Sequence, residues 1–139
     1  MSEAPGGPAP KSIDALLEEN RAALDRLSPE QAAQALASGG ALLVDIRYAA
    51  LRERDGTIPG ALIVERNELE WRLDPQCSHR TAEATSHDLW VIVVCNEGYA
   101  SSLAAISLRQ LGLGRATDLD GGFQAWRAAG LPITPPASA

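Results

Sequence analysis

The run Val91-Ile92-Val93-Val94 constrains this chain more than any other stretch. Four β-branched residues in succession favour extended backbone, and a strand that is apolar at every position is buried on both faces. Such a strand belongs in a parallel sheet with helices on each side. It stops at Cys95, crosses a short loop holding Gly98, and enters an amphipathic stretch, residues 102–111, that reads as a helix. A thiol at that junction meets the unpaired N–H groups and the positive end of a helix, both of which favour an anion. The placement marks Cys95 as a stabilised thiolate and a candidate nucleophile. The competing reading, a buried structural cysteine, is common for this residue type but does not account for the loop.

Short apolar runs and helical stretches alternate along the rest of the chain. Helical periodicity begins at Ser12, with Ile13, Leu16, Leu17, Leu24 and Leu27 on one face. Ser28, Pro29 and Gln31 form a capping-box signature for a second helix, which stops at Gly39-Gly40. Residues 41–45 read as a buried strand, 48–54 as a helix, 57–60 as a turn, 61–64 as a strand and 65–73 as a further helix. Residues 76–87 are polar and aperiodic, a surface loop. Residues 115–119 read as a last strand, followed by a helix at 123–129. Alternation of this kind predicts a mostly parallel α/β sheet covered on both faces. Ligands bind beyond the carboxyl ends of the strands in such sheets, so Asp45, Arg47 and Arg66 are brought toward Cys95. Asp45 and Arg47 can also form an ion pair that buttresses the loop, and Arg66 can face pocket or solvent. Trp71 and Arg72 stand either as a pocket wall or as a cap on the sheet.

Composition narrows the function classes. A chain of 139 residues, 45% of them hydrophobic, can bury a core as a single domain. A net charge of −6 with Lys11 as the sole lysine argues against a nucleic-acid surface. No apolar run is long enough to span a membrane, and the first ten residues lack the pattern of a signal peptide. These features place the chain in the cytoplasm, where a free thiol persists. Cys77, His79 and His87 lack a fourth ligand at finger-like spacing, so no metal is expected, and no cofactor. Cys77 reads as an incidental thiol in a polar loop, with a role in resolving a species on Cys95 as the alternative.

Four segments in register resemble the rhodanese family. They are LLVDIR at 42–47, DGTIPGA at 55–61, the loop Cys95-Asn96-Glu97-Gly98-Tyr99-Ala100-Ser101, and GGFQAWRAAGLPI at 121–133. The resemblance implies a three-layer α/β fold with a five-stranded parallel sheet flanked by helices. The domain would span 28–133, behind a helical extension at 11–27, with disordered tails at 1–10 and 134–139. It implies a sulfurtransferase in which Cys95 takes a sulfane sulfur from thiosulfate or a persulfide donor and passes it to a thiophilic acceptor, which can be a protein. The residues Asn96, Glu97, Gly98, Tyr99, Ala100 and Ser101 would cradle the persulfide.

The departures from the family pattern carry chemistry too. Thr57 stands where histidine is usual, Ala100 where many members carry arginine, and Glu97 where some carry a cation. An acidic Glu97 at the mouth opposes a thiolate and repels dianionic thiosulfate. Glu97 and Ala100 support the rival reading, a rhodanese-like regulatory or binding module that binds a partner or senses oxidants through Cys95, whereas Thr57 belongs to a structural turn. Tyrosine-phosphatase chemistry needs Cys-x5-Arg, and the sixth residue after Cys95 is Ser101. A thioredoxin-like site needs Cys-x-x-Cys, and Gly98 fills the second position.

Overall fold

The computed structural model describes residue 7 and residues 9–136, so most of the tail expected at 1–10 lies outside the described residues. Four strands, β1 (Leu42–Asp45), β2 (Leu62–Ile63), β3 (Val91–Val94) and β4 (Thr117–Asp118), form one parallel sheet in the order β2-β1-β3-β4. Six helices surround it among the described residues: α1 (Ile13–Ala22), α2 (Pro29–Ala37), α3 (Ala49–Asp55), α4 (Leu69–Leu73), α5 (Ala100–Gln110) and α6 (Gly122–Ala128).

The sheet has four strands rather than the five expected. The fifth position is a single parallel bridge, Leu27 to Leu119, held by Leu27 N–H to Asp118 O at 3.1 Å and Asp120 N–H to Leu27 O at 2.8 Å. Ser28 already caps α2 and Pro29 carries no N–H, so the chain cannot extend the ladder beyond Leu27.

Strand periodicity divides the core into two layers. Val91, Val93 and Cys95 point into one cluster with Leu69, Leu73 and Leu108, whereas Ile92 and Val94 point into another with Ala32, Phe123 and Trp126. Both layers are buried, which is why β3 is apolar at every residue. α4 and α5 cover the first face, α1 packs on α5, and α2 and α6 cover the second.

Several boundaries differ from the sequence reading for local reasons. α1 ends at Ala22, so Leu24 and Leu27 lie beyond it; Leu24 is buried, yet Ile13 is 58% exposed. The helix expected at 65–73 opens as a 3₁₀ turn, Arg66–Glu68, before α4. Thr134, expected in the tail, exchanges backbone hydrogen bonds with Thr57 at 2.7 and 2.9 Å and so belongs to the fold. α2 carries the expected capping box, with Ser28 Oγ accepting from Gln31 N–H at 3.2 Å and Gln31 Oε1 from Ser28 N–H at 2.9 Å.

The chain leaves β1 toward β2 on one side and β3 toward β4 on the other. The strand order therefore reverses between β1 and β3, and a crevice opens beyond their carboxyl ends. Asp45 pairs with Val94 there, so Arg47 and Cys95 emerge side by side.

Candidate active site

Cys95 follows β3 and is 7% exposed. Its Sγ accepts hydrogen bonds from Gly98 N–H at 3.1 Å and Ser101 N–H at 3.4 Å, and lies 3.3 Å from Ser101 Oγ. The sulfur thus fills the role of an N-cap. The residue at the N-cap position of α5, Tyr99, makes no side-chain cap hydrogen bond, and the helix begins at Ala100 rather than at Ser102 as expected, because Cys95 satisfies the first turn. Gly98 has φ +88°, and a Cβ there would lie 2.7 Å from Gly121 N.

The loop is tied from behind. Phe123 N–H donates to Cys95 O at 2.8 Å and Gln124 N–H to Asn96 O at 3.1 Å. A planar trans peptide holds its N–H opposite its C=O, so anchoring these two carbonyls turns the N–H groups of Asn96 and Glu97 the other way. Gly122 permits the contact: with φ +62°, its Cβ would come within 2.5 Å of Cys95 O.

The four signatures interlock at this point. Asp45 grips Arg47 at 2.8 Å, and Arg47 Nη2 also donates to Gly56 O at 2.8 Å. The same guanidinium lies 3.9 Å from the Phe123 ring centroid, and its Nη1 has no hydrogen-bond partner among the described residues. Gln124 Nε2 donates to Asp55 at 2.9 Å and to Asn96 Oδ1 at 3.0 Å, joining the DGTIPGA segment to the loop. Hydrogen bonds from Arg54 and Gln124 outweigh desolvation and hold the Asp55 carboxyl well below the usual carboxylate range.

A cavity of about 290 Å³ opens above the sulfur. Ile46, Tyr48, Leu51, Tyr99 and Ala100 line it with apolar surface, and Asn96 and Glu97 line it from the loop. Arg47 and Arg66 also reach its wall, but both are paired. Arg66 bonds Glu70 at 2.9 and 3.0 Å. Burial opposes the Glu70 charge, yet the Ser107 hydroxyl and Arg66 hold that carboxyl below its ordinary value, so it neutralises Arg66. Of the residues named from sequence, Cys95, Arg47, Arg66 and the loop converge here, whereas Asp45 lies beneath the pocket, 1% exposed. Trp71 is 59% exposed and does not line the cavity; Arg72 bonds His79 O. Cys77 sits in the surface loop and accepts from His79 N–H at 3.4 Å. Among the described residues, no three His, Cys, Asp or Glu side chains gather as a metal site requires.

Sequence reasoning missed the groups behind the loop. Asp118 is fully buried and accepts from Ser101 Oγ at 2.7 Å and Ser102 Oγ at 2.9 Å. Its place at the carboxyl end of β4 was a usable signal. Arg21 and Arg26, which both donate to Gly98 O, had none, since they precede every recognised motif.

This fold is an α/β parallel sheet with a buried cysteine cradled by backbone N–H groups at the switch between β1 and β3. The chain belongs to the rhodanese-like family: the Rhodanese-like domain matches residues 28–129. It is 35% identical over 103 residues to the thiosulfate sulfurtransferase GlpE of Ectopseudomonas mendocina, covering 74% of this chain and 84% of that one. The human single-domain sulfurtransferase TSTD1 is 29% identical, with a TM-score of 0.65 over 74% of this chain and 95% of that one. A protein from Rhodopseudomonas palustris, described as of unknown function and a possible tyrosine phosphatase, is 34% identical with a TM-score of 0.81. That likeness covers 93% of this chain and all of the other, so it reaches beyond residues 28–129. No helix among the described residues is long and apolar enough to cross a membrane.

Proposed function

We propose that this protein is a sulfurtransferase that carries a sulfane sulfur as a persulfide on Cys95. The observation that carries the reading is the Cys95 sulfur, held by Gly98 and Ser101 N–H groups at the floor of an open pocket. The thiolate attacks the outer sulfur of thiosulfate or of an organic persulfide. A new S–S bond forms, the donor's S–S bond breaks, and sulfite or a thiolate departs with the electron pair. The outward-turned loop amides then hold the terminal sulfur anion. A thiophilic acceptor such as cyanide or a thiol, on a small molecule or a protein, takes that sulfur and regenerates the Cys95 thiolate. No net oxidant is needed.

The relatives named as thiosulfate sulfurtransferases support this class of reaction. The pocket itself suits an organic persulfide better than thiosulfate, because both wall arginines are neutralised and Glu97 adds negative charge. A phosphatase lacks support, since Ser101 occupies the position where phosphate would need a guanidinium and spends its hydroxyl on Asp118. The test is the intact mass of the protein after treatment with thiosulfate, mercaptopyruvate or cysteine persulfide in parallel. One added sulfur that maps to Cys95 and is lost in Cys95→Ser is expected. No added sulfur from any donor, alongside reversible sulfenylation, would replace the enzyme with an oxidant-sensing module.

A further inference from the structure

Two guanidiniums from outside the family-matched residues converge on one oxygen of the Cys95 loop. Arg21, in the last turn of α1, donates to Gly98 O at 2.8 Å, and Arg26, just before Leu27, donates to it at 2.9 Å. Arg26 also forks across Asp118, with Nε 3.0 Å from Oδ1 and Nη2 3.2 Å from Oδ2, and reaches Asp120 at 3.1 Å. Arg21 Nε lies 3.3 Å from Ser102 Oγ, and its guanidinium lies 5.3 Å from the Tyr99 ring centroid. Burial works against the Arg26 charge, but Asp118, Asp120 and Cys95 together hold its guanidinium above the ordinary value. An exposed ion pair would contribute little here. A fork onto a fully buried carboxylate is different, because removing either partner leaves an uncompensated charge.

We propose that Arg26, assisted by Arg21, is a positioning residue for sulfur transfer, fixing the Gly98–Tyr99 peptide and balancing Asp118 behind the Cys95 sulfur. The proposal rests on Cys95 being the sulfur carrier, although its first consequence, the reactivity of the thiol, does not depend on a sulfur donor. Holding Gly98 O from behind turns the Tyr99 N–H to the opposite side, as α6 does for Asn96 and Glu97. The two anchors differ in origin: α6 belongs to the family domain, and the arginines belong to the extension.

Asp118 accounts for the second part of the role. Ser101 gives its single hydroxyl proton to Asp118 at 2.7 Å and so presents lone pairs to the Cys95 sulfur, 3.3 Å away. Ser101 can donate to a thiolate or persulfide only by releasing Asp118. Arg26 and Ser102 remain on that carboxylate when it does, so the hydroxyl can rotate without orphaning a buried charge. On the pocket side the charges bearing on the sulfur are Glu97 and the paired Arg47 and Arg66, and these stay constant in the test below.

The experiment uses the full chain carrying Cys77→Ser, which leaves Cys95 as the only thiol. It measures iodoacetamide alkylation against pH, persulfide loading from cysteine persulfide, and thermal melting. Arg26→Gln is expected to move the alkylation profile to higher pH and slow alkylation at pH 7 about tenfold. Arg26→Lys, which keeps the charge without the fork, recovers part of that loss, and Arg21→Gln costs about two- to threefold. Should Arg26→Gln melt too early to assay, Arg26→Gln with Asp118→Asn removes the orphaned carboxylate. That pair is expected to alkylate within about twofold of wild type and still load persulfide several-fold more slowly, because Gly98 O has lost its Arg26 anchor. A folded Arg26→Gln whose profile superimposes on wild type overturns the proposal, as does a double variant that loads at the wild-type rate. A wild-type protein that takes up no sulfur while Arg26→Gln still shifts alkylation would sink the sulfurtransferase reading and leave the positioning role standing.

Discussion

The two sides of the Cys95 loop are built on opposite plans. On the pocket side, Tyr48 and Tyr99 are more than half exposed, Glu97 and Ala100 face solvent, and the nearest cations are already paired. Behind the loop, Cys95 O, Asn96 O and Gly98 O are each held by donors, Asp118 is fully buried against Arg26, Ser101 and Ser102, and glycines allow close approach. The contrast teaches a division of labour. On the proposed sulfur-transfer chemistry, side chains in front would select what approaches, and backbone geometry fixed from behind would make the sulfur able to react with it. Substitutions behind the loop should therefore damage reactivity, and those in front should change preference.

The largest expected effect comes from Gly122→Ala. The added Cβ would collide with Cys95 O at 2.5 Å and with Asn96 C and O at 2.8 Å, pushing the loop away from α6. A displacement of this size should cost on the order of a hundredfold in persulfide loading, measured by single-turnover mass spectrometry. Loading near the wild-type rate would break the claim that the cradle is set from behind. Trp126→Ala tests the support under that anchor. Trp126 is 3% exposed in the second core layer and donates to Pro132 O at 2.8 Å, so its loss should cost about 3–5 kcal/mol in denaturant unfolding. A cost under about 1 kcal/mol would mean α6 is held by other contacts.

Acid stability gives a smaller and more specific signal. Arg54, Gln124 and Arg127 hold Asp55 ionised in the fold, with its carboxyl well below the value of about 3.9 expected in the unfolded chain. A depressed carboxylate stabilises the fold fully above that unfolded value, and the contribution fades as pH falls through the folded one. Asp55→Asn should therefore lower Tm at pH 7 and flatten the loss of Tm between about pH 5 and pH 2. Parallel acid limbs for the two proteins would show that Asp55 does not link the loop's support to pH. The smallest effect lies in front. Glu97→Lys should raise kcat/KM for thiosulfate by about two- to fivefold at low salt and less at high salt, since the side chain is solvated. An unchanged ratio of thiosulfate to organic persulfide turnover would show that this wall does not select the donor.

What was legible in the sequence follows the same division. β3 was readable because burial on both faces demands an unbroken apolar run, and α2 because Ser28, Pro29 and Gln31 spell a cap. Cys95 stood out because a thiol between such a strand and a helix is placed against unpaired N–H groups, where an anion is stabilised. The pattern of apolar runs gave the four strands that form, and the fifth, implied by the family resemblance, failed because only Leu27 pairs there before the cap of α2 begins. The start of α5 failed because a sulfur, rather than a Ser or Asp side chain, satisfies its first turn. Arg21 and Arg26 were invisible for a different reason. Their partner is a backbone carbonyl 72 or more residues away, and no local spacing encodes such a contact.

The central claim is that Cys95 carries sulfur. Intact-mass analysis of the wild-type chain after thiosulfate and after cysteine persulfide, with Cys95→Ser beside it, tests this most directly. One sulfur added at Cys95, removed by cyanide as thiocyanate and absent from Cys95→Ser, is the predicted result. A mass that never gains sulfur from either donor, or that gains it equally in Cys95→Ser, would contradict it.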